Sequence, residues 1–305
     1  MIYTVTFNPA IDYVMKLDEL ALNTVNRSLS EEIFFGGKGI NVSIILHELG
    51  IDSVALGFTA GFTGEAIEKG VEALGVRTDF VRLESGNSRI NVKLKHGGET
   101  ELNGQGPQIS KHAINRLFEK LDTLKSGDTL VLAGSIPGTL PTDMYEKILE
   151  HLDGKGIRYI VDATGKLLLN VLQYKPFLIK PNNFELSELF GVKLNTNKEI
   201  IKYAMKLQEM GAQNVLVSMA ENGSILIDEN QKAHVIGVPE GVAVNSVGAG
   251  DSMLAGFITG YLEKNDYNYA LKLGTACGSS TAFSEGLATR DEIYNLLEKI
   301  PQISQ

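Results

Sequence analysis

The sequence predicts an α/β chain built on a mostly parallel sheet, with a small second sheet beside it. Three observations carry this. Short apolar runs alternate with helical segments, as in Val54 to Phe58, Thr129 to Ala133 and Val215 to Ser218, and such runs suit strands buried on both faces. Glycine-rich turns stand at the starts of helices, where backbone N–H groups lack intrahelical partners. One stretch, Arg89 to Lys95, departs from the pattern by strict alternation, which marks a sheet with one polar face.

Length and composition set the bounds. The 305 residues, 43% of them hydrophobic, suffice for one large α/β unit with an insertion. A net charge of -9, from 28 basic and 37 acidic residues, speaks against nucleic acid as the main partner, although a local basic pocket for a small phosphate stays open. The N-terminus lacks the charged and apolar regions of a secretion signal, and no run approaches the ~20 apolar residues that span a bilayer. A soluble, cytoplasmic protein without membrane contact is expected. The single cysteine, Cys277, excludes an internal disulfide, and its small neighbours suggest close packing.

In chain order, Ile2 to Phe7 reads as a first strand stopped at Asn8-Pro9, and Tyr13 to Leu17 as a short second one. Ile33 to Phe35 leads into Gly36-Gly-Lys-Gly39 and a helix from Ile40 to Leu49 closed by Gly50. A strand at Val54 to Phe58 and a helix at Gly64 to Leu74 repeat the scheme. Ile90, Val92 and Leu94 share one face of the alternating stretch, while Arg89, Asn91, Lys93 and Lys95 share the other. Gly97-Gly98 turns the chain back through Glu99 to Asn103. Helices and buried strands then resume: Ser110 to Lys125, Thr129 to Ala133, Thr142 to Lys155, Tyr159 to Asp162 and Phe177 to Lys180. Helices near 184–190 and 198–211 flank the strand that ends at Ser218. Ser224 to Asp228 and Lys232 to Ile236 form an edge hairpin, and helices at 250–263, 267–284 and 291–299 end the chain. No linker divides it.

The chemistry is concentrated in Asn245-Ser-Val-Gly-Ala-Gly-Asp251. Gly248, Ala249 and Gly250 place nearly bare amides where a helix begins, so an anion can approach them, and Asp251 adds a proton acceptor in the first turn. A plain N-terminal aspartate after a glycine turn has the same letters. Neither a P-loop nor a dinucleotide fingerprint occurs, so a bound nucleotide has to use this turn. Around Gly36 to Asn41, Gly37 admits a ligand to the backbone, Lys38 offers an ammonium to phosphate, and Asn41 offers an amide to a hydroxyl, as against a tight turn with a solvated lysine. Asp12 follows the first strand and suits two adjacent sugar hydroxyls, or merely an exposed turn. Arg89 and Asn91 point the same way, toward a phosphate or toward solvent. Lys180 ends an apolar strand. Asn182 and Glu185 beyond it suit a hydrated Mg²⁺ on nucleotide phosphates, or a helix cap. Ser218, Met219, Ala220, Glu221, Asn222 and Gly223 end another strand and suit a nucleotide pocket or a simple turn. The apolar face with Ile90, Val92 and Leu94 needs a cover, and a symmetric partner's identical sheet would supply one.

Taken together, Gly36-Gly-Lys-Gly-Ile-Asn-Val-Ser43 and Asn245-Ser-Val-Gly-Ala-Gly-Asp251 resemble the two signatures of the PfkB, ribokinase-like carbohydrate kinases, in the same order and about 200 residues apart. The resemblance implies a three-layer αβα sandwich with a mostly parallel central sheet and a β lid from about 12–35 and 87–104. Asn8-Pro-Ala-Ile-Asp12, Asn26-Arg27, Arg89-Ile-Asn-Val-Lys93 and Asn103-Gly-Gln-Gly-Pro107 are most similar to members that phosphorylate fructose 1-phosphate on its 6-hydroxyl. Tagatose-6-phosphate and fructose-6-phosphate kinases, or a non-catalytic sugar-phosphate sensor, are the alternatives. ATP and Mg²⁺ are implied, with Asp251 as base, 248 to 250 as anion hole, and Asp12, Arg27, Gly37, Lys38, Asn41, Arg89 and Asn91 on the sugar side. Lys180, Asn182 and Ser218 to Gly223 fall on the nucleotide side, Glu185 with Asn182 holding the metal through water. A homodimer through the lid is implied as well. Some ribokinase-like enzymes hold a monovalent cation with an aspartate where this chain has Asn245.

Overall fold

The computed structural model describes residues 1–303. β1 (Ile2–Thr6) leads directly into the second sheet through β2 (Ala10–Lys16) and β3 (Ser30–Gly36), before α1 (Lys38–Glu48) returns the chain to the main sheet at β4 (Ser53–Ala60). After α2 (Gly61–Ala73), short strands β5 (Arg77–Thr78) and β6 (Val81–Leu83) line the edge, and β7 (Arg89–Lys95) and β8 (Glu99–Asn103) complete the second sheet. Then α3 (Lys111–Leu121), β9 (Thr129–Ala133), α4 (Met144–Leu152), β10 (Arg158–Asp162), α5 (Gly165–Val171), β11 (Leu178–Ile179), α6 (Asn183–Phe190), α7 (Asn197–Glu209) and β12 (Asn214–Ser218) alternate. The hairpin β13 (Ser224–Ile227) and β14 (Ala233–Ile236) precedes α8 (Ala249–Lys264), α9 (Tyr267–Phe283) and α10 (Arg290–Leu297).

The main sheet has the order β14-β13-β12-β11-β10-β9-β1-β4-β5, with β6 also paired to β4. Only the pairs β12–β13 and β13–β14 are antiparallel. Burial on both faces explains the apolar runs. Leu130 and Leu132 of β9 belong to the same core layer as α3, α4 and α7, whereas Val131 and Ala133 belong to that of α1, α8 and α9. The sandwich is therefore three layers deep. Strand order reverses beside β1, whose chain continuation crosses to β4 on one side while β9 lies on the other, and such a switch leaves a crevice at the carboxyl ends of the strands.

Helix α8 is held against α9 by backbone proximity. A Cβ at Gly256 would lie 2.6 Å from Cys277 Sγ and 2.9 Å from Gly274 Cα, so only glycine fits. Burial raises the Cys277 thiol pKa, in keeping with its packing role.

Several boundaries differ from expectation. Asp12 lies inside β2, and β2 pairs in parallel with β7, so the second sheet is mixed. The helix expected to run to Lys125 ends at Leu121, and that expected over Thr142 to Lys155 spans only Met144 to Leu152. α5, with Leu168 and Val171 in the core, is an unforeseen element whose seven residues are too few for a visible period. No helix among the described residues is long and apolar enough to cross a membrane.

Candidate active site

Two helix starts meet in the crevice. Gly37 caps α1 and Gly248 caps α8, both at positive φ, and a Cβ at Gly248 would strike Leu287 Cδ2 at 2.5 Å. Across the gap, Asn41 Nδ2 donates to Asp251 Oδ2 at 2.8 Å. The Ala249 amide turns back to the Ser246 carbonyl at 3.3 Å, a long bond, whereas the Gly248 and Gly250 amides make no such turn-closing bond among the described residues. These are free donors.

Asp251 is buried, and its pKa is pushed up to about 6. Burial is the largest cause and the nearby Asp162 carboxylate the second, against the opposing pull of Lys38, Asn41 and Lys180. Asp162 itself was read only as the end of a strand, yet it is the electrostatic centre. Its two oxygens lie 3.3 Å from Lys38 Nζ and 3.3 Å from Lys180 Nζ. Burial alone would raise its pKa, but the two ammoniums outweigh that and hold it low. For Lys38, burial opposes the charge, but Asp162, Asp251 and Glu185 together raise its pKa. Lys180 also reaches the anion turn: a Cβ at Gly250 would sit 3.1 Å from its Nζ. A carboxylate closing an apolar parallel strand was the available signal for Asp162, because ligands gather at those strand ends.

Of the residues expected on the sugar side, Asp12, Arg89 and Asn91 lie on the second sheet, whereas Gly37, Lys38 and Asn41 lie at the start of α1. Asp12, Asn91 and Phe34 are register partners, and Asn91 Nδ2 donates to Asp12 Oδ1 at 2.7 Å. Arg89 donates through Nε to the Asn8 carbonyl at 3.0 Å, with its pKa lowered by burial in spite of Asp12. A cavity of about 550 Å³ under this sheet is lined by Asp12, Phe34, Lys93, Asn41, Asn245 and Leu287. Asn41 thus joins the cavity to Asp251. Arg27 stands apart, exposed between β2 and β3.

On the other side, Asn182 bridges to Ser218, bringing the ends of β11 and β12 together. Asn182 and Glu185 form a reciprocal capping box at 2.8 Å each, which engages the one Asn182 oxygen and Oε2 of Glu185. Among the described residues no three His, Cys, Asp or Glu side chains group to hold a metal. The remaining Glu185 Oε1 and the second lone pair of Asn182 Oδ1 fit a Mg²⁺ held largely by water and phosphate. Met219 is buried in the core, so only its backbone faces this edge, while Ala220, Glu221 and Asn222 form an exposed turn closed by Gly223 at φ 88°.

Bare amides at a helix start, a buried carboxylate with raised basicity and a cavity lined by Asp12 and Asn41 beside them suit transfer of an anionic group to an alcohol. Comparison with known proteins makes that class specific. The pfkB family carbohydrate kinase profile matches residues 5–293, and the chain belongs to that family of ATP-dependent sugar kinases. It is 45% identical over 98% of its length to the 1-phosphofructokinase of Bacillus subtilis (strain 168), covering 98% of that protein. It is 38% identical to the D-tagatose-1-phosphate kinase of Bacillus licheniformis, over 94% of each chain. Its fold superposes with a TM-score of 0.89 on phosphofructokinase-2 from Escherichia coli in complex with fructose-6-phosphate, at 26% identity and covering 97% and 98% of the two chains.

Proposed function

We propose that this kinase transfers the γ-phosphoryl group of ATP to the 6-hydroxyl of fructose 1-phosphate, giving fructose 1,6-bisphosphate. The observation that carries the reading is the Asn41–Asp251 hydrogen bond, which ties a buried base at an anion-binding helix start to the cavity that Asp12 lines. Two curated relatives are named for ketohexose 1-phosphates, and these sugars differ in a hydroxyl configuration that leaves the phosphate arm unchanged.

Asp12 accepts the sugar hydroxyls, and Arg89 and Lys38 hold the phosphate with the backbone at Gly37. Asn91 and Asn41 orient Asp12 and Asp251. Asp251 takes the proton of the attacking hydroxyl, and the amides of 248 to 250 receive charge on the transferring group. With a pKa of about 6 it is ionised at neutral pH yet more basic than an ordinary carboxylate. Lys180, Asn182 and the turn from Ser218 to Gly223 take the nucleotide. Mg²⁺ would supply charge neutralisation at the phosphates, with Glu185 and Asn182 holding its water shell. Arg27 completes the phosphate grip if the exposed segment folds over the bound sugar.

The working protein is a homodimer through the lid, in the cytoplasm. Ile33, Tyr13, Val92 and Leu102 form a row across all four strands, with Ile33 and Leu102 more than half exposed, and a second copy of this face is the economical cover.

The test is kcat/KM for fructose 1-phosphate, fructose 6-phosphate, tagatose 1-phosphate and tagatose 6-phosphate with ATP. Preference for either 6-phosphate overturns the reading, and absence of sugar-dependent ADP release would make the protein a sensor.

A further inference from the structure

We propose that Lys93 binds the sugar directly, donating an ammonium N–H to a sugar oxygen beside Asp12 while fixing the Asp12 carboxylate that accepts the neighbouring hydroxyl. The inference deepens the kinase reading and rests on it. Lys93 lies two residues beyond Asn91 on β7, so both point to the inner face of the sheet, and its side chain is only 9% exposed. A buried ammonium is costly unless its three donors are met.

They are met loosely. Lys93 Nζ stands 3.8 Å from Asp12 Oδ2 and 3.4 Å from Glu101 Oε1, both beyond the ~2.8 Å of a tight charge-assisted bond. Two carboxylates neutralise the charge without saturating the donors. Asn91 shows the complementary deficit: its Nδ2 is spent on Asp12, while its buried Oδ1 has no hydrogen-bond partner. One face therefore presents an anionic acceptor and a cationic donor to the cavity that Asp12 and Lys93 line, with Asn91 buried behind them. Adjacent sugar hydroxyls answer both, giving a hydrogen to Asp12 and a lone pair to Lys93. A purely structural Lys93–Glu101 pair would contribute little, because the Glu101 side chain is 40% exposed.

The experiment compares Lys93→Met, Lys93→Gln and Lys93→Arg with the unaltered protein. Loss of a charged hydrogen bond should raise KM for fructose 1-phosphate by about tenfold or more in the Met and Gln variants, with kcat and KM for ATP within about twofold, while Arg restores part of the loss. Without nucleotide, the sugar phosphate should raise Tm of the unaltered protein and, at the same concentration, raise that of Lys93→Met by clearly less. An unchanged sugar KM in a folded neutral variant, a parallel loss in both substrates, or no recovery with Arg overturns the assignment. If the unaltered protein turns over no ketohexose phosphate, the kinase reading fails instead, whereas the nucleotide-free shift still reads Lys93.

Discussion

Replacing Asp162 by Asn tests whether the site's electrostatics set the basicity of Asp251. Asp251 stands at about 6, some two units above an ordinary aspartate, equivalent to ~3 kcal/mol favouring its protonated form. Burial is the larger cause and Asp162 the next. The substitution removes the repelling carboxylate and releases Lys38 and Lys180 to act on Asp251, so both changes lower its pKa. The acid limb of kcat/KM should move about one pH unit toward acid. The stability sign is separate: Asp162 has a depressed pKa, so its contribution is present above the ordinary carboxylate value and is lost as pH falls through the depressed one. At neutral pH the variant forfeits that contribution and leaves the buried Lys180 poorly compensated, at a cost of about 3 kcal/mol. Tm is measured first, with Asp162→Glu as the charged control. A folded Asp162→Asn enzyme whose acid limb stays near 6 would refute the account.

Asp251→Asn should lower kcat by roughly 10²- to 10⁴-fold while ATP still binds, and near-normal turnover would remove it as the base. Gly256→Ala forces a Cβ against the backbone of α9, so it should cost about 3 kcal/mol and lower Tm by roughly 5–10 °C; an unchanged melting curve would show that the helices separate freely. Leu102→Lys places a charge in the exposed apolar row, and light scattering should then give a smaller particle than the unaltered protein, whereas equal masses would argue against the lid interface.

Much of the fold was legible because two-sided burial leaves a plain mark: Thr129 to Ala133 is apolar wherever it meets a helix layer, and β9 has those bounds. Helix ends were less legible, since Thr142 and Lys155 lie beyond a helix whose packed face stops at Leu152. The glycine turns pointed to the candidate anion site because only near-absent side chains let amides open toward a ligand. Asp162 stayed hidden because its meaning depends on two lysines from other strands and helices, at positions 38 and 180, and no local pattern encodes that convergence. Lys93 was visible only as one of four polar residues on a strand face; its burial between Asp12 and Glu101 needs the register of three strands.

In the proposed reaction, recognition and chemistry rest largely on different bodies of the molecule. Asp12, Arg89, Asn91 and Lys93 belong to the second sheet, which the cavity separates from the body over much of its inner face, while Asp251, Asp162 and Lys180 are fixed by the main sheet and by the α8–α9 contact. Helix α1 faces both, since Lys38 and Asn41 bond Asp162 and Asp251 while Asn41 also lines the cavity under the sheet. Adjusting the sheet can therefore alter which sugar is held without disturbing the base, whereas a shift of α1 changes both at once. Gly39 makes such a shift difficult, since a Cβ there would lie 2.7 Å from Thr6 Oγ1 and 2.9 Å from the Val5 carbonyl, so the helix is pressed onto the first strand. The rigid element is the one that both halves of the reaction must share.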